Sequence, residues 1–272
     1  MSIAKLLELD QTLHAVVATE FLKLRRSKVV WMSFLIYGFM IAMLGLFMWI
    51  ALNPGMAESL GLLGQKANFA FAGESLDWAG FLGMVFMMAS LGGMIFLSFI
   101  VVFIFGREYA EGTEKNLLVL PVPRGLFVLA KFVVAALWFA LLSAWLLPLS
   151  FVVGKTLGLA GFDARLFWGI GGKILVSGLL SFSTCSLVAL IAVATKGYFA
   201  PLGYATFTLV LASLFGHTGW APWVPWSIVG LYSGAAGAGP EPTAGSYLVL
   251  AATFLLGLGL TLRHETRADN VQ

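Results

Sequence analysis

The chain has 272 residues, of which 60% are hydrophobic and 11% charged, and its mean hydropathy is +0.95. Soluble domains carry about 25% charge, so a soluble fold is excluded, and the length suits one helical membrane bundle without a soluble catalytic domain. A net charge of +3 is too slight for a nucleic-acid footprint, and one cysteine, Cys185, permits no internal disulfide and no zinc site of its own.

Residues 11–28 read as an amphipathic elbow helix ahead of the first span. Leu13, Val16, Val17, Phe21 and Leu24 fall on one side, and Thr12, Thr19, Lys23 and Arg26 on the other. Such a helix lies along a membrane surface, with its basic end, Lys23, Arg25 and Arg26, among anionic lipid headgroups. It serves either as an anchor or as a lever moved by a partner, and the residues leave both readings open. Glu8, Asp10 and Glu20 interrupt the N-terminal region, so no cleavable signal peptide is expected.

Six apolar runs follow, at 29–52, 78–105, 126–153, 167–195, 198–216 and 246–262. A spanning helix needs roughly 20 such residues. The runs are apolar all round, whereas the strands of a membrane barrel alternate in polarity. The expected fold is an all-α integral membrane protein of six transmembrane helices, one domain across 1–272. Placing the N-terminus in the cytoplasm leaves only Lys66, Lys155, Arg165 and Lys173 outside, so twelve of the sixteen Lys and Arg residues lie inside. That bias makes both termini cytoplasmic.

Before the last run, Trp220, Trp223 and Trp226 recur every third residue among prolines, with no Lys or Arg between them. Trp prefers the membrane interface, so a short broken or re-entrant element on the outer face is expected. It acts as an interfacial anchor or as a gate. Within the spans polarity is mild. Met84, Met87 and Met88 cluster on the second run, and Ser177, Ser181 and Thr184 form a stripe on the fourth. Hydroxyls and small residues serve helix packing, and the same side chains suit a path for a hydrophobic cargo.

Catalytic signatures are missing. Gly154-Lys155-Thr156 ends like a phosphate-binding loop, but Leu149 stands where the pattern needs glycine. His264-Glu265 has no second histidine four residues on, and three histidines in all make a metal site improbable. No Asp or Glu falls centrally in any run, which argues against a proton-coupled transporter or an ion pump.

The connection at 106–124 is the most specific feature. Arg107, Glu108, Glu111, Glu114, Lys115 and Arg124 crowd into it. Glu108, Glu111, Thr113 and Lys115 are expected on one short helix, with Glu111 and Lys115 spaced as an i,i+4 pair. Gly112 weakens that helix, and Pro121 and Pro123 stop it. From the residues alone it is a docking element or a solvated turn.

The run Glu108-x-x-x-Gly112-Thr113-x-x-x-Leu117-Leu118-x-x-Pro121-x-x-Arg124 resembles the cytoplasmic loop of type-2 ABC exporter permeases. In its layout the chain is most similar to the small permeases of bacterial bacitracin-resistance and lantibiotic-immunity exporters. A second proline, Pro123, departs from the usual pattern. The resemblance implies a multi-pass permease of the bacterial cytoplasmic membrane, contacting lipids and pairing with a second permease chain, identical or sister. Two separate ABC ATPase subunits would carry ATP and Mg, leaving this chain no cofactor and no enzymatic activity of its own. Arg107, Glu108, Glu111, Gly112, Thr113 and Lys115 would seat on the ATPase, flanked by Lys23, Arg25 and Arg26 of the elbow helix. The expected function is export of a hydrophobic or amphipathic substrate, such as a peptide antibiotic, drug or lipid-like molecule. A membrane immunity protein that captures a peptide without pumping, and an intramembrane lipid-modifying enzyme, are the alternatives.

Overall fold

A computed structural model describes residues 3–59, 75–113, 122–235 and 240–267. All regular structure among the described residues is helical. The elements are α1 (Ile3–Arg25), α2 (Lys28–Leu52), α3 (Pro54–Ser59), α4 (Trp78–Ala110), α5 (Arg124–Thr156), α6 (Ala164–Ala194) and α7 (Phe199–Gly216). A 3-10 turn (Ala221–Trp223), α8 (Pro225–Ser233) and α9 (Ala244–Arg267) complete them. Six of these are long and apolar enough to cross a membrane: α2, α4, α5, α6, α7 and α9. The elbow helix is α1, and the broken element before the last span is the 3-10 turn with α8.

The elements begin where local chemistry starts them. The Asp77 carboxylate accepts the Gly80 amide at 3.0 Å to open α4, and Asp163 accepts the Arg165 amide at 2.8 Å to open α6. Each satisfies an amide that a helix N-terminus leaves without an internal acceptor. Ser27 has extended backbone, and its hydroxyl donates to the Leu24 carbonyl at 2.7 Å, closing α1 just before α2 begins. Several helices outrun their apolar runs, because internal backbone bonding continues into the polar flanks. The run expected at 78–105 belongs to a helix ending at Ala110, and that at 126–153 to a helix covering Arg124–Thr156.

The most extensive contacts join α4 to α6 and α6 to α9. The most apolar stretch of α6 is 61% buried, against 22% in α7, so α6 is the central post and α7 a peripheral one. Glycine permits the tight crossing of α6 and α9. A Cβ on Gly257 would lie 2.3 Å from Ser186 Oγ and 2.7 Å from the Ser186 carbonyl carbon. The Ser186 hydroxyl bonds across to the Thr253 carbonyl at 3.2 Å. Gly154 has a similar task. A Cβ there would stand 2.4 Å from the Trp78 ring, which fixes the junction of α4 and α5. The glycine of Gly154-Lys155-Thr156 thus seats an indole.

Chain direction gathers α1, the end of α4, the start of α5 and the end of α9 at one end of the bundle, called here the N-terminal end. The 3-10 turn lies toward the opposite end, with Trp223 against Gly245 at the start of α9, and from there α8 reaches the middle of the bundle, where Ile228 and Val229 cluster with Met94 and Leu180.

Candidate functional site

Charge is buried at the N-terminal end. Val16, Glu20 and Leu24 form the buried stripe of α1, at i,i+4 spacing. That stripe packs on α5. Glu20 accepts a hydrogen bond from Lys23 one turn later. The Lys23 ammonium also donates to Glu108 Oε1 at 3.0 Å, from α1 to α4. Lys131 of α5 donates to Glu108 Oε2 at 2.6 Å. Glu20, Glu108 and Lys131 are all buried. Two carboxylates and two ammoniums thus join three helices, and both oxygens of Glu108 are engaged.

The pairing explains why charge is tolerated there. An isolated buried carboxylate costs several kcal/mol, and only close opposite charges with good hydrogen bonds offset that. The Lys131 ammonium also lies 5.6 Å over the Phe105 ring, a favourable placement for a cation. Burial opposes the Lys23 ammonium, yet the Glu20 hydrogen bond and the charges of Glu20 and Glu108 outweigh it. Its pKa stands above the ordinary lysine value. Arg107 frames the cluster. Its guanidinium sits 5.5 Å over Phe103, Nη1 donates to the Lys23 carbonyl at 3.4 Å, and Nε lies 3.7 Å from Glu111.

The end of α4 is closed by a glycine cap. The Thr113 amide donates to the Glu108 carbonyl at 2.9 Å, and the Gly112 amide to the Tyr109 carbonyl at 3.3 Å. Gly112 has φ +65°, which that double bond pattern requires. The Tyr109 hydroxyl donates to Glu265 of α9, so a fourth helix meets the same end.

The short separate helix expected for 108–115 is therefore a different object. Glu108 belongs to the last turns of the long α4 and points inward, Glu111 caps it, and Gly112 stops it. The i,i+4 partner of Glu111 found here is Arg107. Lys115, with 114–121, lies outside the described residues. Of the elbow cations, Lys23 enters the cluster, while Arg25 and Arg26 are exposed.

The residues proposed for a cargo path fall on α4, on α6 and on the segment of the 3-10 turn and α8. Met84, Met87 and Met88 are half-buried, and Met84 and Met88 pack on the main core. Ser177, Ser181 and Thr184 are buried. The Ser177 hydroxyl donates to the Ile174 carbonyl at 3.1 Å and Thr184 to the Ser181 carbonyl at 2.8 Å, both within α6. Trp220 and Trp223 are exposed. Trp226 turns inward beside Tyr204, with ring centroids 6.3 Å apart, and lines a 160 Å³ cavity with Ser90 and His217. Among the described residues no group of three His, Cys, Asp or Glu side chains is placed to hold a metal.

Two members of the cluster escaped the sequence reading, Glu20 and Lys131. A carboxylate on the apolar stripe of an amphipathic helix, and a lysine inside an apolar run, were the available signals.

A family model described as "ABC-2 family transporter protein" matches residues 16–213. The chain belongs to the ABC-2 transporter family. The matched stretch contains all four charged residues of the cluster and runs from α1 into α7. The bacitracin transport permease protein BcrB of Bacillus licheniformis is 29% identical over 170 residues, 61% of this chain and 80% of that protein. As an ABC-2 protein the chain is a membrane-embedded permease subunit of a transporter.

Proposed function

We propose that this permease exports a hydrophobic or amphipathic cargo, driven by ATP hydrolysis on separate ABC ATPase subunits. Two ATPase copies, binding ATP and Mg, sit against the N-terminal end, and a second permease chain completes the pathway. That end faces the cytoplasm of a bacterium, in line with the bias of Lys and Arg. ABC-2 membership supports the ATPase partners. The name of the bacitracin permease relative supports an antibiotic as cargo.

The observation that carries the reading is the engagement of both Glu108 oxygens. Lys23 ties α4 to α1, and Lys131 ties it to α5. A push on the 111–123 connection is then shared by α1, α4 and α5 as one body. Arg107, Glu111, Gly112, Thr113 and Lys115 supply the contact surface in this proposal, with Arg25 and Arg26 at its flank. The Glu108 carboxylate acts from behind that surface.

The test reconstitutes the chain with its ATPase in vesicles and follows hydrolysis and cargo export together. Glu111→Lys alters an exposed carboxylate, so the expected result is weaker ATPase co-purification and lower cargo-stimulated hydrolysis at an unchanged melting temperature. Unchanged co-purification and hydrolysis would remove the docking role. Cargo protection that survives a hydrolysis-dead ATPase would replace export by capture.

A further inference from the structure

A groove of 530 Å³ opens between α2, α4 and the start of α7. Its walls include Val29, Ile36, Phe99 and Phe103, and only Ser33 and Tyr198 contribute a side-chain oxygen. The volume lies within the range of about 300–1,000 Å³ typical of small-molecule sites. Along α4 the lining runs from Phe96 to Phe103. At 1.5 Å per residue this is about 10 Å, roughly a third of a hydrocarbon core about 30 Å thick.

The groove is asymmetric in charge. Its mouth lies at the N-terminal end of the bundle, where each wall hands over to a cation. Lys28 precedes Val29 and is exposed. Arg107 stacks on Phe103. Lys196 stands two positions before Tyr198, exposed, and in left-handed backbone with φ +50°. Against these three cations stands Glu111, 3.7 Å from Arg107. None of the three lines the slot itself; Lys28 and Lys196 adjoin its lining in sequence and Arg107 stacks on it, so the charged positions next to the apolar slot are positive on balance.

The geometry points to a binding site for one anionic phospholipid, its acyl chain in the slot and its phosphate between Lys28 and Lys196. Basic pockets between spanning helices recognise anionic headgroups in this way. A neutral lipid would fill the slot and leave the cations unanswered. A soluble phosphate would meet the cations and leave the slot empty. The site uses no residue of the buried ion cluster except the framing Arg107, and it requires no ATPase.

The experiment titrates the purified chain, without ATPase, in detergent and counts bound lipid by native mass spectrometry. The probes are phosphatidylglycerol, phosphatidylcholine with the same acyl chains, and glycerol phosphate. Phosphatidylglycerol is expected to bind at about tenfold lower concentration than phosphatidylcholine, with no retention of glycerol phosphate. The Lys28→Gln/Lys196→Gln double variant should erase that preference. Arg165→Gln/Lys173→Gln, which removes two exposed charges at the other end, should leave it intact. Ile100→Trp and, independently, Ser33→Phe fill the slot and should reduce both lipids to detergent background while the melting temperature is retained in at least one of them.

Equal binding of the two lipids overturns the site. So does a preference that survives in Lys28→Gln/Lys196→Gln, or one that is lost in Arg165→Gln/Lys173→Gln. Retention of glycerol phosphate would show a surface anion site without the acyl slot. A dimer that excludes lipid throughout the titration would assign the groove to a second copy of the chain. Loss of lipid preference with intact ATPase coupling, or the reverse, separates this site from the proposed export function.

Discussion

The two ends of the bundle handle polarity in opposite ways. At the N-terminal end four charged side chains are drawn inward and satisfied by one another, with Glu108 only 6% exposed. At the opposite end Trp220 is 71% exposed, an aromatic ring presented outward. Buried charge needs partners held in fixed geometry, so the first end binds its helices to each other. An indole at a membrane boundary needs one apolar and one wet side, which the surroundings provide without a protein partner. The N-terminal end is thus tied together across three helices, while the 3-10 turn holds its exposed indoles outside the packed core.

The sharpest way to break that contrast is to remove one partner of Glu108. Lys131→Met leaves a buried carboxylate answered only by Lys23, and loss of one member of a buried pair costs about 3–5 kcal/mol. Thermal unfolding in detergent should show the largest drop of any variant considered. Adding Glu108→Gln should restore most of the stability, because the uncompensated charge is then gone. If the ion cluster carries motion, the double variant will melt near wild type and still show reduced cargo-stimulated ATP hydrolysis. Full recovery of both readouts would make the cluster purely structural.

Much of this was legible in the residues, and the remainder was hidden for physical reasons. The six spans were readable because apolar character on every face survives any uncertainty of register. Their ends were not, since a helix continues through polar residues as long as its backbone bonds close, as α4 does to Ala110. Gly112 was recognised as a weak point, while the structure shows it as the stop itself, with φ +65° and two capping bonds. Glu20 was visible as a charge at the i,i+4 positions of Val16 and Leu24, which should have demanded a partner. The pairing of Glu108 with Lys23 and Lys131 was beyond reach. It depends on how three helices cross, and a single chain of letters carries no record of that. The seat of Trp78 against Gly154 was equally hidden.

Packing at the opposite end gives the next largest effect. Gly154→Val forces a side chain into the Trp78 ring, where even a Cβ would stand at 2.4 Å. Overpacking of this kind costs about 1–3 kcal/mol, read as a lower melting temperature. An unchanged value would show that Trp78 is free to leave, and that this end is looser than its geometry implies. Gly112→Ala should cost roughly 1–2 kcal/mol, the penalty for a left-handed residue bearing a Cβ. It acts on the cap and spares the ion cluster, so its melting curve should fall between those of Gly154→Val and wild type.

A pH titration sharpens the charged end without any substitution. The Lys23 pKa is raised in the folded chain. A raised ammonium contributes stability that is fully present below the ordinary lysine value of about 10.4 and is lost as pH rises through the folded value. The melting temperature should therefore lack a Lys23-dependent change between pH 7 and 9 and fall at higher alkalinity. Lys23→Met should flatten that alkaline fall. A fall of equal size in Lys23→Met would assign it to other groups.

The smallest effect belongs to the exposed indole. Trp220→Ala removes a ring that lies outside the buried core, and exposed substitutions of this kind stay within about 0.5 kcal/mol. Trp226→Ala is its internal reference. That ring packs beside Tyr204 and lines the 160 Å³ cavity, so its loss should lower the melting temperature by more than Trp220→Ala does. Both variants belong in vesicles as well as in detergent, with cargo export measured beside unfolding. An anchoring role predicts that Trp220→Ala keeps both stability and export, and changes only how strongly quenchers at the lipid surface dim the remaining tryptophans. Loss of export at unchanged stability would place Trp220 against the cargo, and the end that carries the 3-10 turn would then be a working surface as much as the charged one.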